Sequence, residues 1–480
     1  MRYRCCFLVV VCLLASCSSS SGSPEPVQAG SSLLAGPWEI CTRTAVSLGV
    51  SLLEESPFAP PAELVTPMAP SAGGMVFSVD DGVRGSEPWV SSGAPGAGTR
   101  LLKEIIPGAV GSHPTWFTTV GSRVFFAADD PVAGRELFVT DGTVGGTRRV
   151  KDIWPGAVGS FPNELFAFNG LLYFAAGDPT HGRELWRSDG SAAGTFMVED
   201  FEPGIEDSSP HRFTLGGDGS LYFLASYRGV ITILLRSDGG PGADEVFRMS
   251  SDHGFQLPLV AVGSKLFFAV GVSHSGGAML MVTDGGAPPV MLRQFGMVGE
   301  MAGVGGRLLF SAAMGMDSDD MELWRSDGTA SGTVLVEDIL PGPMGSNPDH
   351  FTVLGNQLFF AADDGVHGVE PWDSDSTAAK TRLFGDLEAG AGSSFPDVLT
   401  TVDNLFFFSA AIRNRGAEPW VSNGVRITTV SLTEIAPGPL DSFPRSFTRS
   451  GQNVFFTAQD NSGVRYVYAL PIAPVGGCPP

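Results

Sequence analysis

Acidic residues recur along this chain at a spacing suited to cation binding or acid–base catalysis. Asp80-Asp81, Asp129-Asp130 and Asp363-Asp364 stand before Glu87, Glu136 and Glu370, six residues separating the second aspartate from the glutamate. Carboxylates clustered on a loop could coordinate Ca²⁺, and the densest patch is Asp317, Asp319 and Asp320 ahead of Glu322. No EF-hand spacing accompanies them, so these three are Ca²⁺ candidates only, and capping of hairpin turns is the better reading. No other cofactor is expected. Two carboxylates at a set separation are also the equipment of a glycosidase. An active site is unique, however, whereas this acid pair returns in unit after unit, which favours structure over catalysis. The seven histidines (His113, His181, His211, His253, His274, His350 and His367) show no metal-binding spacing. His181 and His367 share one phase and read as turn residues. With no nucleophile elbow, P-loop or dinucleotide fingerprint, no catalytic residue is assigned.

The elements that carry these residues are repeats. A phrase of the type Leu-Phe-Phe recurs with its second aromatic at Phe77, Phe126, Phe174, Phe223, Phe268, Phe310, Phe360, Phe407 and Phe456. A second landmark follows in step at Trp89, Phe138, Trp186, Leu235, Met281, Trp324, Trp372, Trp420 and Tyr468. Repetition near 47 residues marks a closed or stacked array. Composition agrees: 63 Gly and 35 Pro are too many for a helical protein, and 43% hydrophobic residues are too many for a disordered one.

Within one unit, Gln357–Ala362 reads as a buried strand, Val369–Trp372 as a second, Thr381–Phe384 as a third and Val398–Thr401 as a fourth. Four short strands per repeat predict an all-β fold, a β-propeller of eight or nine blades. Pro88, Pro371 and Pro419 predict that their strand lies open at one edge. Asp-Gly pairs such as Asp141-Gly142 and Asp189-Gly190 suit turns needing positive φ. Aromatic columns in register are expected to fill the space between blades.

The two ends complement each other. The last unit stops after Tyr468, while the segment from Trp38 supplies strands with no unit of their own, so a composite N- and C-terminal blade is expected to close the ring. Before it, residues 1–16 read as a lipoprotein signal peptide: Arg2 and Arg4, an apolar run from Cys5 to Leu14, then Leu14-Ala15-Ser16-Cys17, which resembles a bacterial lipobox. Cys17 is the expected lipidation site and residues 17–32 a Ser/Gly/Pro-rich tether, leaving 33–480 as one repeat domain. Ser18 after Cys17 points to the outer membrane or cell surface of a Gram-negative bacterium. Cys41 and Cys478 then remain, in an oxidising compartment, and a disulfide between them is expected.

Glu184-Leu185-Trp186-Arg187-Ser188-Asp189-Gly190 and Glu322-Leu323-Trp324-Arg325-Ser326-Asp327-Gly328-Thr329 resemble the ELWxxDGT repeat proteins, exported bacterial proteins common in myxobacteria. The resemblance covers nearly all of the mature chain but implies no activity, catalytic residue or ligand. The units near Phe223, Phe268 and Phe310 depart from the motif or from its even spacing. A net charge of −22 repels nucleic acid. The expected function is therefore a lipid-anchored surface binding scaffold, a monomer whose partner is a protein or glycan and which meets the membrane only through its lipid. Two alternatives are an extracellular polysaccharide-active enzyme with its site in the propeller channel and a purely structural envelope protein.

Overall fold

The computed structural model describes residues 38–52, 67–249, 253–255, 259–272, 277–315 and 320–478. The signal and tether segments, with Cys17, and two of the Ca²⁺ candidates, Asp317 and Asp319, lie outside these residues. Among the described residues there is no α-helix, and antiparallel pairing makes up the sheets.

Unit by unit, the aromatic phrase forms a strand that is buried on both faces, because large rings at alternate positions each meet a different neighbouring sheet. Phe125 (1% exposed) packs with Leu172, Phe174 and Trp186 of the following unit, while Phe126 (0%) packs with Ala69, Val76, Val90 and Leu102 of the preceding one. The same arrangement recurs round the chain, with one apolar cluster between each pair of successive units. Fully burying a phenylalanine is worth about 1.5–3 kcal/mol, so these clusters are what hold unit to unit. The architecture is a β-propeller.

The unit read above contains Asp349–Leu354, Gln357–Asp363, Val369–Ser374 and Arg382–Leu383, hydrogen-bonded in that order. This shifts the expected blade by one strand. The segment 398–401 belongs to Asp397–Val402, which opens the next sheet rather than completing this one. A cyclic repeat has no intrinsic start, and the most legible phrase happens to be the second strand. The proline reading changes too. Val369–Ser374 is an interior strand, but the carbonyl of Pro371 accepts from Phe384 and Gly385 N–H on its outer side, just beyond the two-residue fourth strand. The missing N–H of proline points to that same side, where no ladder needs it.

Eight of the nine paired landmarks are directly opposed across the second and third strands, from Phe77 with Trp89 to Phe456 with Tyr468. The exception corrects the alignment: Trp420 faces Phe408, not Phe407, because Leu405-Phe406-Phe407-Phe408 offers two frames.

The first strands make the inner wall. Met68–Ser71, Thr115–Val120, Asn163–Phe168, His211–Leu215, Val260–Val262, Met297–Val304, Asp349–Leu354, Asp397–Val402 and Arg445–Ser450 each touch the next, and the last touches the first. Closure is composite, as expected. Trp38–Ile40 and Val46–Leu52 pair with different stretches of the long strand Arg465–Pro474 and fill its outer flank. Trp38 thus occupies a fourth-strand place. Its N–H donates to Asn404 Oδ1 (2.9 Å), whose Nδ2 donates back to the Trp38 carbonyl (3.0 Å). Cys41 and Cys478 form the expected disulfide, with Cα atoms 5.2 Å apart across 437 residues of sequence.

Candidate functional site

The repeated glutamates have a structural task. Glu370 is fully buried, and its carboxylate takes N–H bonds from Leu387 (2.9 Å), Glu388 (3.2 Å) and Ser394 (2.8 Å) and the Ser394 hydroxyl (2.7 Å). Glu87, Glu136, Glu184, Glu322 and Glu418 bind Ser112, Ser160, Ser208, Ser346 and Ser442 in the same way, at 2.5–2.9 Å. Each glutamate on a third strand therefore latches the loop that carries the chain into the following unit. Burial raises the pKa of all six, against the pull of their donors, and Glu184 is pushed up to about 7.

The aspartate pairs cap turns. Asp81 accepts from Val83 and Arg84 N–H, and Asp364 from Val366 and His367 N–H. His181 and His367 sit in these turns against Asp178 and Asp364 (both Nδ1 to Oδ2, at 2.8 and 2.7 Å), which raise their pKa values. In the Ser-Asp-Gly turns, Asp189 accepts from Ser191, and Gly190 adopts φ +86°, where an added Cβ would strike Arg123 of the preceding unit. The motif tryptophans are buried in the inter-unit clusters, so a stacking site at Trp186, Trp324 or Trp372 has no exposed face to work with. Asp320 is exposed, and its neighbours Asp317 and Asp319 are outside the described residues.

What does not repeat lies on the inner wall. Each first strand of several units carries a register shift near its start, and one residue inside it takes a left-handed backbone: Trp116 (φ 61°), Glu164 (53°), Arg212 (56°), His350 (57°), Val398 (54°) and Ser446 (61°). Glu300 stands at the same place in Met297–Val304, within the shift between Val298 and Met301. The backbone repeats while the side chains do not.

At one sector these variable positions converge. Glu300, Asp349 and His350 place one donor atom each within 4.8 Å of one another. His350 Nδ1 lies 3.3 Å from Asp397 Oδ1 on the next first strand. Glu300 accepts from Phe351 N–H (2.6 Å), and burial together with the adjoining Asp349 carboxyl pushes its pKa up. An imidazole among three carboxylates can hold a metal ion or bind a cation. Sequence reading missed this group because Glu300 and His350 are 50 residues apart in a divergent stretch. Its available signal was a column of the repeat whose chemistry changes from unit to unit.

No family model matches the chain, and no curated protein matches it. Solved structures resemble it. One is a prolyl endopeptidase studied for inter-domain dynamics in catalysis, at 12% identity and TM-score 0.44, covering 72% of this chain and 54% of its own. A puromycin hydrolase matches at 14% and 0.39, over 74% and 58%. The β-propeller domain of the Trilobed protease from Pyrococcus furiosus matches at 11% and 0.37, over 66% and 95%. The chain thus spans little more than half the length of the first two peptidases, and these likenesses bear on no activity.

Proposed function

We propose that this propeller is an exported scaffold, lipid-anchored through Cys17 at the outer membrane or cell surface, that binds a protein or glycan partner at the inner wall of its ring. The lipobox Leu14-Ala15-Ser16-Cys17 supports the anchor, and the ELWxxDGT motifs support membership of that exported repeat family. The unbroken cycle of first strands and of inter-unit clusters supports nine blades over eight.

One observation carries the binding reading. The residues that recur are used up in latches, caps and packing, whereas the left-handed positions of the first strands present glutamate, arginine, histidine, valine and serine on one frame, the sixth, Trp116, being buried between units. A wall of fixed geometry and variable chemistry is suited to recognition. The repeated acids are committed to buried latches, which removes the main support for a glycosidase.

The test is a glycan array and a pull-down with the mature chain, beside Glu164→Ala and Arg212→Ala. A partner retained by the wild type and lost from either variant is expected. Capture that neither substitution alters, or no partner at all, would overturn the reading.

A further inference from the structure

We propose that Glu300, Asp349 and His350, with Asp397 beside them, form a binding site for a divalent first-row transition-metal ion on the inner wall. The site is independent of any macromolecular partner, so it stands or falls apart from the scaffold reading.

Three features carry it. The donors are of mixed type, an imidazole with carboxylates, and they come from three successive first strands that the frame holds side by side. Their charge is uncompensated. Among the described residues, no ion pair joins Glu300, Asp349 or Asp397 to an arginine or lysine, and the one basic group against the two aspartates is the His350 imidazole. Elsewhere in the ring, aspartates at strand ends and turns are neutralised by arginine: Asp129 by Arg135 (3.0 Å), Asp218 by Arg236 (2.8 Å) and Asp403 by Arg449 (2.7 Å). Like charges crowded without a counter-ion favour uptake of a cation. Finally, the group is singular. The equivalent positions of other units hold Trp116, Glu164, Arg212, Val398 and Ser446, so the cluster is not a by-product of the repeat.

The donor set indicates which ion. Metal–ligand bonds of about 2.0–2.2 Å place tetrahedral donors roughly 3.5 Å apart, so closure by about an ångström suffices, within reach of side-chain rotation. Imidazole suits Zn²⁺ and its first-row neighbours, whereas Ca²⁺ prefers six to eight oxygens. Zn²⁺ is therefore expected to outcompete Ca²⁺ here, the reverse of what an all-carboxylate turn would do.

Isothermal titration of the metal-free mature chain with ZnCl₂, and separately with CaCl₂, tests this. One Zn²⁺ per chain is expected, with Ca²⁺ at least tenfold weaker. His350→Gly removes the imidazole at a left-handed position that glycine adopts freely, so the fold is retained while Zn²⁺ affinity falls at least tenfold. Glu300→Gln is expected to weaken Zn²⁺ similarly, and His367→Ala, in its separate turn, to leave binding unchanged. The Co²⁺-substituted protein should lose its visible absorption in His350→Gly. Zn²⁺ binding unaffected by His350→Gly and Glu300→Gln, Ca²⁺ binding as tight as Zn²⁺, or no stoichiometric binding would each overturn the proposal.

Discussion

Glu184 sets two effects against each other in a way that pH can separate. It is fully buried, which disfavours its charge, yet it accepts from Phe201 N–H (3.0 Å), Ser208 N–H (3.0 Å) and the Ser208 hydroxyl (2.5 Å), all of which favour it. With burial dominant its pKa rises from 4.5 to about 7. Between those values the folded chain holds a proton that the unfolded chain has released, so stability is greatest below the unfolded value and declines as pH rises through the folded one. For a group shifted from 4.5 to about 7, the decline between pH 5 and pH 8 is about 2.5 kcal/mol. Glu184→Gln has no proton to lose. Its amide keeps the bond from Phe201 N–H only by turning its NH2 toward Ser208 N–H, which then relies on the Arg183 carbonyl (3.1 Å), so one carboxylate bond is lost at a cost of about 1 kcal/mol. The variant should therefore be less stable than wild type by about that amount at pH 5, with the gap closing or reversing by pH 8. Urea unfolding followed by tryptophan fluorescence at pH 5, 6, 7 and 8 measures it. A gap that stays constant or widens with pH would show that the three donors outweigh burial, and would refute the reasoning.

Two further outcomes concern the ends of the chain. Cys41→Ala with Cys478→Ala opens a loop of 437 residues, for which chain entropy gives an upper value of about 6 kcal/mol. Over about 440 residues that lowers Tm by about 6–7 °C, a shift that scanning calorimetry reads directly and that reductant should reproduce in the wild type. For the anchor, Cys17→Ser is expected to abolish incorporation of radiolabelled palmitate and to release the protein from the membrane fraction; labelling that persists would exclude Cys17 as the acceptor.

The ring could be read from the sequence because its two aromatic columns are cross-strand partners, as with Phe126 and Phe138 or Phe360 and Trp372. Packing between units demands large apolar groups at those places, so they survive divergence. The Cys41–Cys478 pair was legible for a similar reason, since closure of a ring must bring distant ends together. Strand boundaries were harder. The first strand, Asp397–Val402, is half-exposed and polar, and nothing local says whether it ends one blade or begins another. The sector of Glu300 and His350 was illegible because it is built by neighbouring strands of different units, a proximity created by the ring itself.

The left-handed positions of the first strands have a consequence for how such a chain changes over time. Each costs a non-glycine residue about 1–2 kcal/mol, yet residues as unlike as Trp116, Arg212 and Val398 are accommodated there. The surrounding frame imposes the conformation whatever the side chain. Duplicating a unit therefore copies the scaffold and at the same time creates a fresh position whose residue is under no obligation to resemble its parent. Growth of the ring and diversification of its wall are separable heritable events, and a lineage can revise one without reopening the other.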